Sequence, residues 1–585
     1  MKLNEFLAPE NDGTNMNPST ENIELTTRRP TVEIELPDGR VFSGPRGTPV
    51  GTFLRKLPEW DRPPIMGAIV NGELRELTFP IEVEAKVKPI NMMSADGARI
   101  YRRSLTFLLE AAFEELFPEA DLAVDYAIAS GGFYCEVIGH DPLTAQELAA
   151  LELRMKELVK KDLLFEREQV PLREAIEYFT QKEQTEKVRL LKYRQKDYLI
   201  LYKLQDRRDY HHGYMVPSTG YLRWFGILGL GKGFVLRFPR RHAPSELVPM
   251  PDSPKLLATF QQYGDWLERL GIENTGALDD AIQGGRIQEI ILISEALHEK
   301  KIAEIAQRIA NHSEQARVVL IAGPSSSGKT TFSKRLTVQL LAQGISPFPL
   351  ELDNYFVDRE RTPRDKKGDY DFEVLEALDI QKMVMDLQHL LDGEEVQLPR
   401  FNFRTGHSEP GEVVRLQAGQ LVILEGIHGL NPRLLPGFPS AQTFRIYVSC
   451  LTQLNLDRHN RISTTDSRLL RRIVRDARER GYSADQTIQR WESVKRGEKA
   501  HIFPYQENAD EMFNSALVYE LAALKKTAEP LLRQVPFGRD EYIEAKRLLA
   551  FLEWFLPIDE SMIPDNSIVR EFIGGSILKD FKLWT

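Results

Sequence analysis

Residues 323 to 330 read Gly-Pro-Ser-Ser-Ser-Gly-Lys-Thr, a complete G-x-x-x-x-G-K-[ST] phosphate loop. The apolar run Val318-Val319-Leu320-Ile321-Ala322 precedes it and suits a buried strand. Thr331 to Ala342 follows, with Phe332, Leu336 and Leu340 at helical spacing and Gly344 placed to stop the helix. Strand, glycine loop and helix together are the setting in which this motif carries meaning. Gly323 and Gly328 let consecutive N–H groups face a phosphate at the positive end of a helix. Lys329 is placed to reach the β and γ phosphates, and the Thr330 hydroxyl to ligate Mg²⁺. The expectation is a nucleotide-binding domain.

The chain around this motif has 585 residues, enough for roughly three or four domains. Its net charge is −10 with both signs mixed throughout, so no global basic field argues for nucleic acid. Two distant cysteines, Cys135 and Cys450, exclude a disulfide framework or a cysteine-rich zinc site and suit a reducing cytosol. No apolar stretch approaches the ~20 residues that span a bilayer, so no membrane partner is expected. Met1 to Arg29 lacks the apolar core of a signal peptide. Residues 1–30 read as a mobile tail and the protein as cytoplasmic.

Domain organisation follows from shifts in pattern. Between 31 and 91 short strands and turns alternate: Val32 to Leu36, a turn at Pro37-Asp38-Gly39, Val41-Phe42, then Ile69-Val70 entering Asn71-Gly72. Residues 92–245 are mixed. Leu105, Leu108, Leu109, Ala112, Phe113 and Leu116 form one helical stripe, Ala145 to Lys161 a second amphipathic helix, and Gly131 to Cys135 a strand-like stretch. Residues 246–314 read as a helical linker. From 315 to 527 strands and helices alternate as in a parallel α/β sheet, and 528–585 form a helical extension with Leu548, Leu549, Leu552 and Phe555 on one side.

Three features beyond the loop point to phosphoryl transfer. The apolar strand Leu421 to Leu424 ends in Glu425, where a carboxylate beside the loop could hold Mg²⁺; an ordinary acid at a strand end is the plain alternative. Phe348 to Leu352 leads into Asp353-Asn354-Tyr355-Phe356, which places Asp353 at a neighbouring strand end as a base for a substrate hydroxyl, or as a simple helix cap. Arg468, Arg471, Arg475 and Arg478 recur at i, i+3, i+7 and i+10, either as a solvated helix face or as a lid that neutralises a transferring phosphoryl group. No Asn-Lys-x-Asp stretch is present to read guanine, which argues against a GTPase.

Six ordered blocks resemble the uridine/cytidine kinases of the phosphoribulokinase and uridine kinase group. They are Gly323 to Thr330, Asp353 to Phe356, Tyr370-Asp371-Phe372, Val396 to Pro399, Glu425-Gly426-Ile427, and Arg471 to Asp476 with Glu479-Arg480-Gly481. The resemblance implies ATP-dependent phosphorylation of a nucleoside 5′-hydroxyl with Mg²⁺. It implies ATP contacts at Gly323, Ser325, Ser326, Ser327, Gly328, Lys329, Thr330 and Thr331, and metal contacts at Thr330 and Glu425. Asp353 matches the catalytic base, acting with Lys329, Arg475 and Arg480. Substrate contacts would come from Asp353, Tyr355, Tyr370, Asp371, Phe401, His407, Arg472 and Arg475. One departure matters: where the family has Tyr and, five residues on, His to read the pyrimidine edge, this chain has Phe401 and Gly406, with His407 displaced by one position. Hydrogen bonds decide specificity more sharply than apolar fit, so the base stays open.

Residues 31 to 90 resemble a TGS domain, a small ubiquitin-like fold. Those from 102 to about 230 resemble the editing-type second domain of threonyl-tRNA synthetases, on Ser104 to Ala112, Gly132-Phe133-Tyr134, Leu164 to Glu168 and Val216 to Gly220. That family's ligand pairs, His-x₃-His and Cys-x₃-His, fall here on Arg103 and Phe107 and on His211 and Met215. One ligand is left, so metal-dependent editing is expected to be lost, with His211 and His212 as surface or loop histidines. The fold class is therefore multidomain α/β and α+β: a parallel-sheet phosphate-loop kinase domain preceded by a TGS-like domain and a synthetase-editing-like domain. The resemblance also suggests RNA as a partner, with Arg207, Arg208, His211, His212, Arg237, Arg240 and Arg241 as local positive charge, and a homo-oligomer, as related kinases form. The competing readings are an RNA-associated ATP switch and a kinase acting on another small alcohol.

Overall fold

The computed structural model describes residues 27–128, 131–312, 315–365, 368, 370–402 and 404–581. Most of the expected tail, up to residue 26, lies outside the described residues. The first unit comprises β1 (Thr31–Glu35), β2 (Val41–Pro45), α1 (Val50–Leu54), β3 (Ile65–Val70), β4 (Glu73–Arg75) and β5 (Ala85–Asn91). Its sheet runs β2-β1-β5-β3-β4, with β1 and β5 parallel at the centre and the remaining pairs antiparallel. Val32 and Ile34 point inward while Thr31, Glu33 and Glu35 face water, the period of two that their alternation requires. Asn71 and Gly72 both take positive φ, which closes the hairpin between β3 and β4.

The second unit is built on α2 (Ala95–Leu116), which packs on a four-stranded antiparallel sheet. That sheet contains β6 (Asp121–Ile128) and β7 (Gly132–Ile138), followed in the chain by α3 (Ala145–Lys161), β8 (Glu166–Pro171), α4 (Leu172–Gln181), α5 (Thr185–Lys192), β9 (Tyr198–Leu204), β10 (Arg207–Asp209), β11 (Gly226–Leu230) and β12 (Gly233–Arg237). Strands β11-β12-β7-β6 form the four-stranded sheet and β10-β9-β8 a smaller one. Helix α3 starts at a capping box between Thr144 and Glu147 and stops at Asp162 in the left-handed region.

Helices α6 (Pro254–Leu270), α7 (Thr275–Gln283) and α8 (Ile287–His312) occupy the region read as a linker, and they are packed rather than extended. Tyr263 and Leu267 of α6, Leu278 of α7 and Ile302, Ile305 and Ile309 of α8 join one apolar core with the sheet that follows. That sheet contains β13 (Val318–Ala322), β14 (Pro347–Glu351), β17 (Leu421–Glu425), β18 (Thr443–Ser449) and β19 (Glu511–Asn514), after the hairpin β15 (Val396–Asn402) and β16 (His407–Val414) in its midst. Its order is β14-β17-β13-β18-β19 and every pairing is parallel. The five residues of β13 are all buried, as a central parallel strand covered on both faces demands. Around it lie α9 (Lys329–Ala342), α10 (Ile380–Leu391), α11 (Thr464–Glu479), α12 (Ala484–His501), α13 (Glu520–Arg533), α14 (Asp540–Leu552) and the single turn α15 (Arg570–Ile573). The terminal extension shares this core through Leu548, Phe551, Ile568 and Phe572.

A buried charge network joins the second unit to this domain. Lys187 pairs with Asp209, Arg207 reaches Glu110, Glu114 and Asp209, and His459 Nδ1 lies 3.0 Å from both Lys187 Nζ and Asp209 Oδ2. His211 is buried here, 3.5 Å from Glu110, and packs on Phe107; of the surface or loop setting expected, it takes the loop but not the surface. Glu110, Asp209 and His211 converge as metal ligands do. Lys187 and Arg207 already balance the two carboxylates, however, and the cluster serves as a salt-bridged joint. Arg208 and Arg241 are likewise matched by Glu168, Glu174 and Glu492.

Burial alone would raise the Asp209 carboxyl; Lys187, His459 and Arg207 instead hold it well below the usual range. A depressed carboxyl stabilises the fold above its unfolded pKa and loses that contribution as pH falls through its folded pKa. Asp209→Asn, which leaves Lys187 buried beside a neutral amide, is expected to destabilise the chain by about 3–5 kcal/mol at pH 7. Denaturant unfolding measures it, and the gap between the two proteins should narrow only in strong acid.

Candidate active site

The loop between β13 and α9 is shaped from both sides by sterics. A methyl group on Gly323 would come within 1.9 Å of the Val448 carbonyl on β18, and Gly328 holds φ +82° at the head of α9. Ser326, at φ +57°, takes the same left-handed region. Beneath the loop lie two buried guanidinium groups of α11. Arg468 donates to the Ser325 carbonyl at 3.2 Å and grips Glu498 of α12 with both nitrogens, at 2.6 and 2.7 Å. Arg471 donates to the Ser326 carbonyl at 3.4 Å, to Ser515 and to Glu520 of α13. The Ser515 hydroxyl donates to the Ser327 carbonyl.

This corrects the reading of an exposed arginine stripe. Arg468 and Arg471 are 2% and 0% exposed and form the floor of the loop. Of the other arginines expected at the site, Arg472 donates to the Ser325 hydroxyl at 2.8 Å and to Asp476. Arg475 and Arg480 share the buried Asp476, with Arg480 the more exposed. Asp476 thus gathers three guanidiniums at the rim.

The carboxyl ends of β13, β17 and β14 lie side by side, with Ile321 opposite Glu425 and Glu425 opposite Glu351. Lys329 donates to the Pro324 carbonyl at 3.3 Å, and Thr330 donates its hydroxyl to Glu425 at 3.3 Å. Asp353 stands in a short 3-10 turn, Leu352–Tyr355, straight after β14 and open to the cleft. Desolvation raises its carboxyl, and Lys329 and Arg480 pull it back. The Lys329 charge also acts on Glu425, Glu373 and Glu498. Glu425 is pushed up to about 7 by burial and by the charges of Asp353, Glu571 and Glu351. A hard oxygen pair from Thr330 and Glu425 beside a phosphate loop is a donor set that suits Mg²⁺.

On the acceptor side the placements vary. Tyr370 is covered by the Arg364 guanidinium, 4.3 Å from its ring centre. Asp371 accepts the Glu373 N–H at 3.1 Å. Tyr355 is buried, its hydroxyl donated to Asp386 of α10. Phe401 packs inside against Phe356, while His407, across the hairpin, is exposed and lies 3.6 Å from Asp358. Phe401 and His407 therefore do not converge on one point.

Sequence reasoning missed three carboxylates. Glu373, beside Asp371, is pushed up to about 7 by burial and by Glu498. Glu498 accepts the Ser325 N–H at 2.8 Å, and Glu571 accepts from Thr331. Only Glu373 adjoins a recognisable block. An apolar cavity of about 180 Å³ lined by Tyr126, Met250 and Phe260 lies elsewhere and offers no cation for phosphate.

Residues 318–521 match the sequence model of the phosphoribulokinase / uridine kinase family, which makes this region a phosphate-loop kinase domain. The amino-terminal region is similar to threonine–tRNA ligases. That of Clostridium kluyveri is 31% identical over 204 residues, 35% of this chain and 32% of the ligase; that of Polynucleobacter asymbioticus is 35% identical over 170 residues, 29% and 26% of the two chains. The chain thus spans about a third of the length of these relatives. Among solved structures, a possible uridine kinase from Bacillus stearothermophilus is 19% identical, covering 36% of this chain and all of that one, with a TM-score of 0.25. A D-glycerate 3-kinase from Cryptococcus neoformans is 15% identical, covering 45% of this chain and 89% of that one, with a TM-score of 0.19.

The glycine at 323 gives a direct check. Gly323→Ala forces β13 and β18 apart at the loop, so stability should fall by about 1–3 kcal/mol and nucleotide affinity should collapse. Thermal unfolding and a nucleotide titration read the two effects.

Proposed function

We propose that the chain is an ATP-dependent kinase that phosphorylates the 5′-hydroxyl of a nucleoside. The observation that carries this reading is the shared rim: Lys329, the Thr330–Glu425 pair and Asp353 stand at neighbouring strand ends, with the Lys329 charge acting on both carboxyls. Asp353 would accept the proton of the attacking hydroxyl as the γ-phosphoryl group passes in line. Lys329 and the outward amides of the loop would hold the phosphate chain. Arg475 and Arg480, oriented by Asp476, would meet charge that spreads onto the transferring group. Mg²⁺, held by Thr330 and Glu425, would supply charge neutralisation on the phosphates. Cytoplasmic residence and the use of ATP as donor belong to the same proposal.

A second reading keeps the transfer and changes the acceptor to another small alcohol. It is favoured by the separation of Phe401 from His407 and by the Arg364 guanidinium lying on Tyr370, the ring expected against a nucleoside. Nucleosides and hydroxy acids or sugars, each incubated with ATP and Mg²⁺ and scored for phosphorylated product, decide between the two. RNA contact through the ligase-like region would be a further role, and tRNA filter binding tests it.

Asp353→Asn is expected to lower kcat by about 10² to 10⁴ while ATP affinity stays within twofold. Wild-type turnover in that variant would remove the base assignment.

A further inference from the structure

The carboxy-terminal segment after α14 returns to the start of α9 and packs beside the phosphate loop. Glu571, in α15, accepts the Thr331 backbone N–H at 3.2 Å and the Thr331 hydroxyl at 2.8 Å. Ile568 presses on the loop glycine: a methyl group on Gly328 would come within 2.6 Å of it. One turn along α9, Lys334 donates to the carbonyls of Leu578 and Lys579 at 2.7 and 2.9 Å. From α11, Arg478 donates to the Glu571 carbonyl at 2.8 Å, and the Arg471 guanidinium lies 4.9 Å from the Phe572 ring. The segment is thus fastened to the helices on both sides of the loop.

The atoms that Glu571 engages are the ones an anion would use. Thr331 is the third residue of α9, and its N–H is one of the first-turn donors with no partner inside the helix. Such donors, with the positive end of the helix dipole, make the anion site of a phosphate loop. A second loop donor, the Ser325 N–H, ends on Glu498. The two carboxylates differ in charge balance. Glu498 is neutralised by Arg468. Among the described residues no salt bridge is formed by the Glu571 carboxylate: Arg478 takes only its backbone carbonyl, Arg471 acts on it through space while paired with Glu520, and the Glu571 charge falls on Glu425 as well. A polyphosphate that reached the start of α9 would bring several more negative charges to the same donors. Helix dipole and amides cannot serve both.

We infer that Glu571 is an internal stand-in for phosphate and that α15 is an autoinhibitory strap whose carboxylate swings off the start of α9 when nucleotide binds, while Ile568 and Phe572 stay anchored in the core. This regulates the site of the proposed kinase and rests on its nucleotide-binding reading. The test uses the full chain and ATP with Mg²⁺, in calorimetric titrations of wild type, Glu571→Gln, Glu571→Ala and Lys329→Ala. Both Glu571 variants should bind ATP more tightly, Glu571→Ala by about tenfold, since it removes both the charge and the competing acceptor. Hydrogen exchange on the wild type should show the amides of 573–581, which follow the buried Phe572, exchanging faster when ATP is added. Unchanged or weaker ATP binding in Glu571→Ala, with wild-type binding intact, overturns the strap and leaves Glu571 as a structural helix cap. Slower exchange of the segment on ATP addition overturns it as well, because the segment would then complete the nucleotide pocket. Absence of ATP binding in all four proteins, in contrast, overturns the nucleotide reading itself and the strap with it.

Discussion

A phosphate loop works only if enough of its amides reach the ligand, and here those that do are set from below, while the Ser325 N–H is held by Glu498 and the Ser327 N–H by the Pro324 carbonyl. The carbonyls of Ser325, Ser326 and Ser327 turn inward and are captured by Arg468, Arg471 and Ser515. In a trans peptide the carbonyl and the next N–H point opposite ways, so the amides of Ser326 and Gly328 are driven toward the cleft. Burying two guanidiniums is unfavourable unless each is paired and hydrogen-bonded. Glu498 and Glu520 meet that condition for Arg468 and Arg471. Because those acids lie on α12 and α13, the loop keeps its shape only when the helical layer of the domain is assembled.

The same packing sets the electrostatics of the cleft. One ammonium, Lys329, faces Asp353, Glu373, Glu425 and Glu498. Desolvation is the largest influence on each of the four, and it disfavours their ionised forms. Arg480 adds its charge at Asp353, Arg472 at Glu373 and Arg468 at Glu498, whereas Glu425 meets the neighbouring acids Asp353, Glu571 and Glu351. A divalent ion between Thr330 and Glu425, together with the guanidiniums gathered by Asp476, is the kind of charge that would restore balance. Asp353 differs from the other carboxylates in being open to the cleft, where a hydroxyl could reach it.

What was legible in the sequence was local. Val318 to Ala322, the glycines of the loop and the stripe of Phe332, Leu336 and Leu340 specify strand, turn and helix within some thirty residues, and short-range periodicity is what patterns report. The alternation of β1 and the Asn71-Gly72 turn were readable for the same reason. Tertiary pairing was not. Arg468 and Arg471 recur at helical spacing like any solvated face, and their acids lie 30 and 49 residues further on, at positions no motif marks. The buried state of His211 was hidden likewise, since Glu110 and Phe107 reach it from a distant part of the chain. Glu571 sits in a single helical turn with no periodicity at all.

The joint between the two halves bears on the cleft through one short stretch. Residues 455–460 follow β18 and lead directly into α11. Asn455 donates to the Asp125 carbonyl, Val124 donates to the Arg458 carbonyl, and Asn460 donates to the Tyr210 carbonyl while accepting the His212 N–H. His459 reaches the Asp209 cluster in the same stretch. Five residues after Asn460, α11 is under way, and it carries Arg468, Arg471, Arg472 and Arg475. A largely buried, multiply bonded turn resists small displacements, as close-packed interiors do. The base of the arginine helix is therefore fixed by the ligase-like unit, while at its far end the half-exposed Arg480, 3.5 Å from Asp476, directs its charge at Asp353.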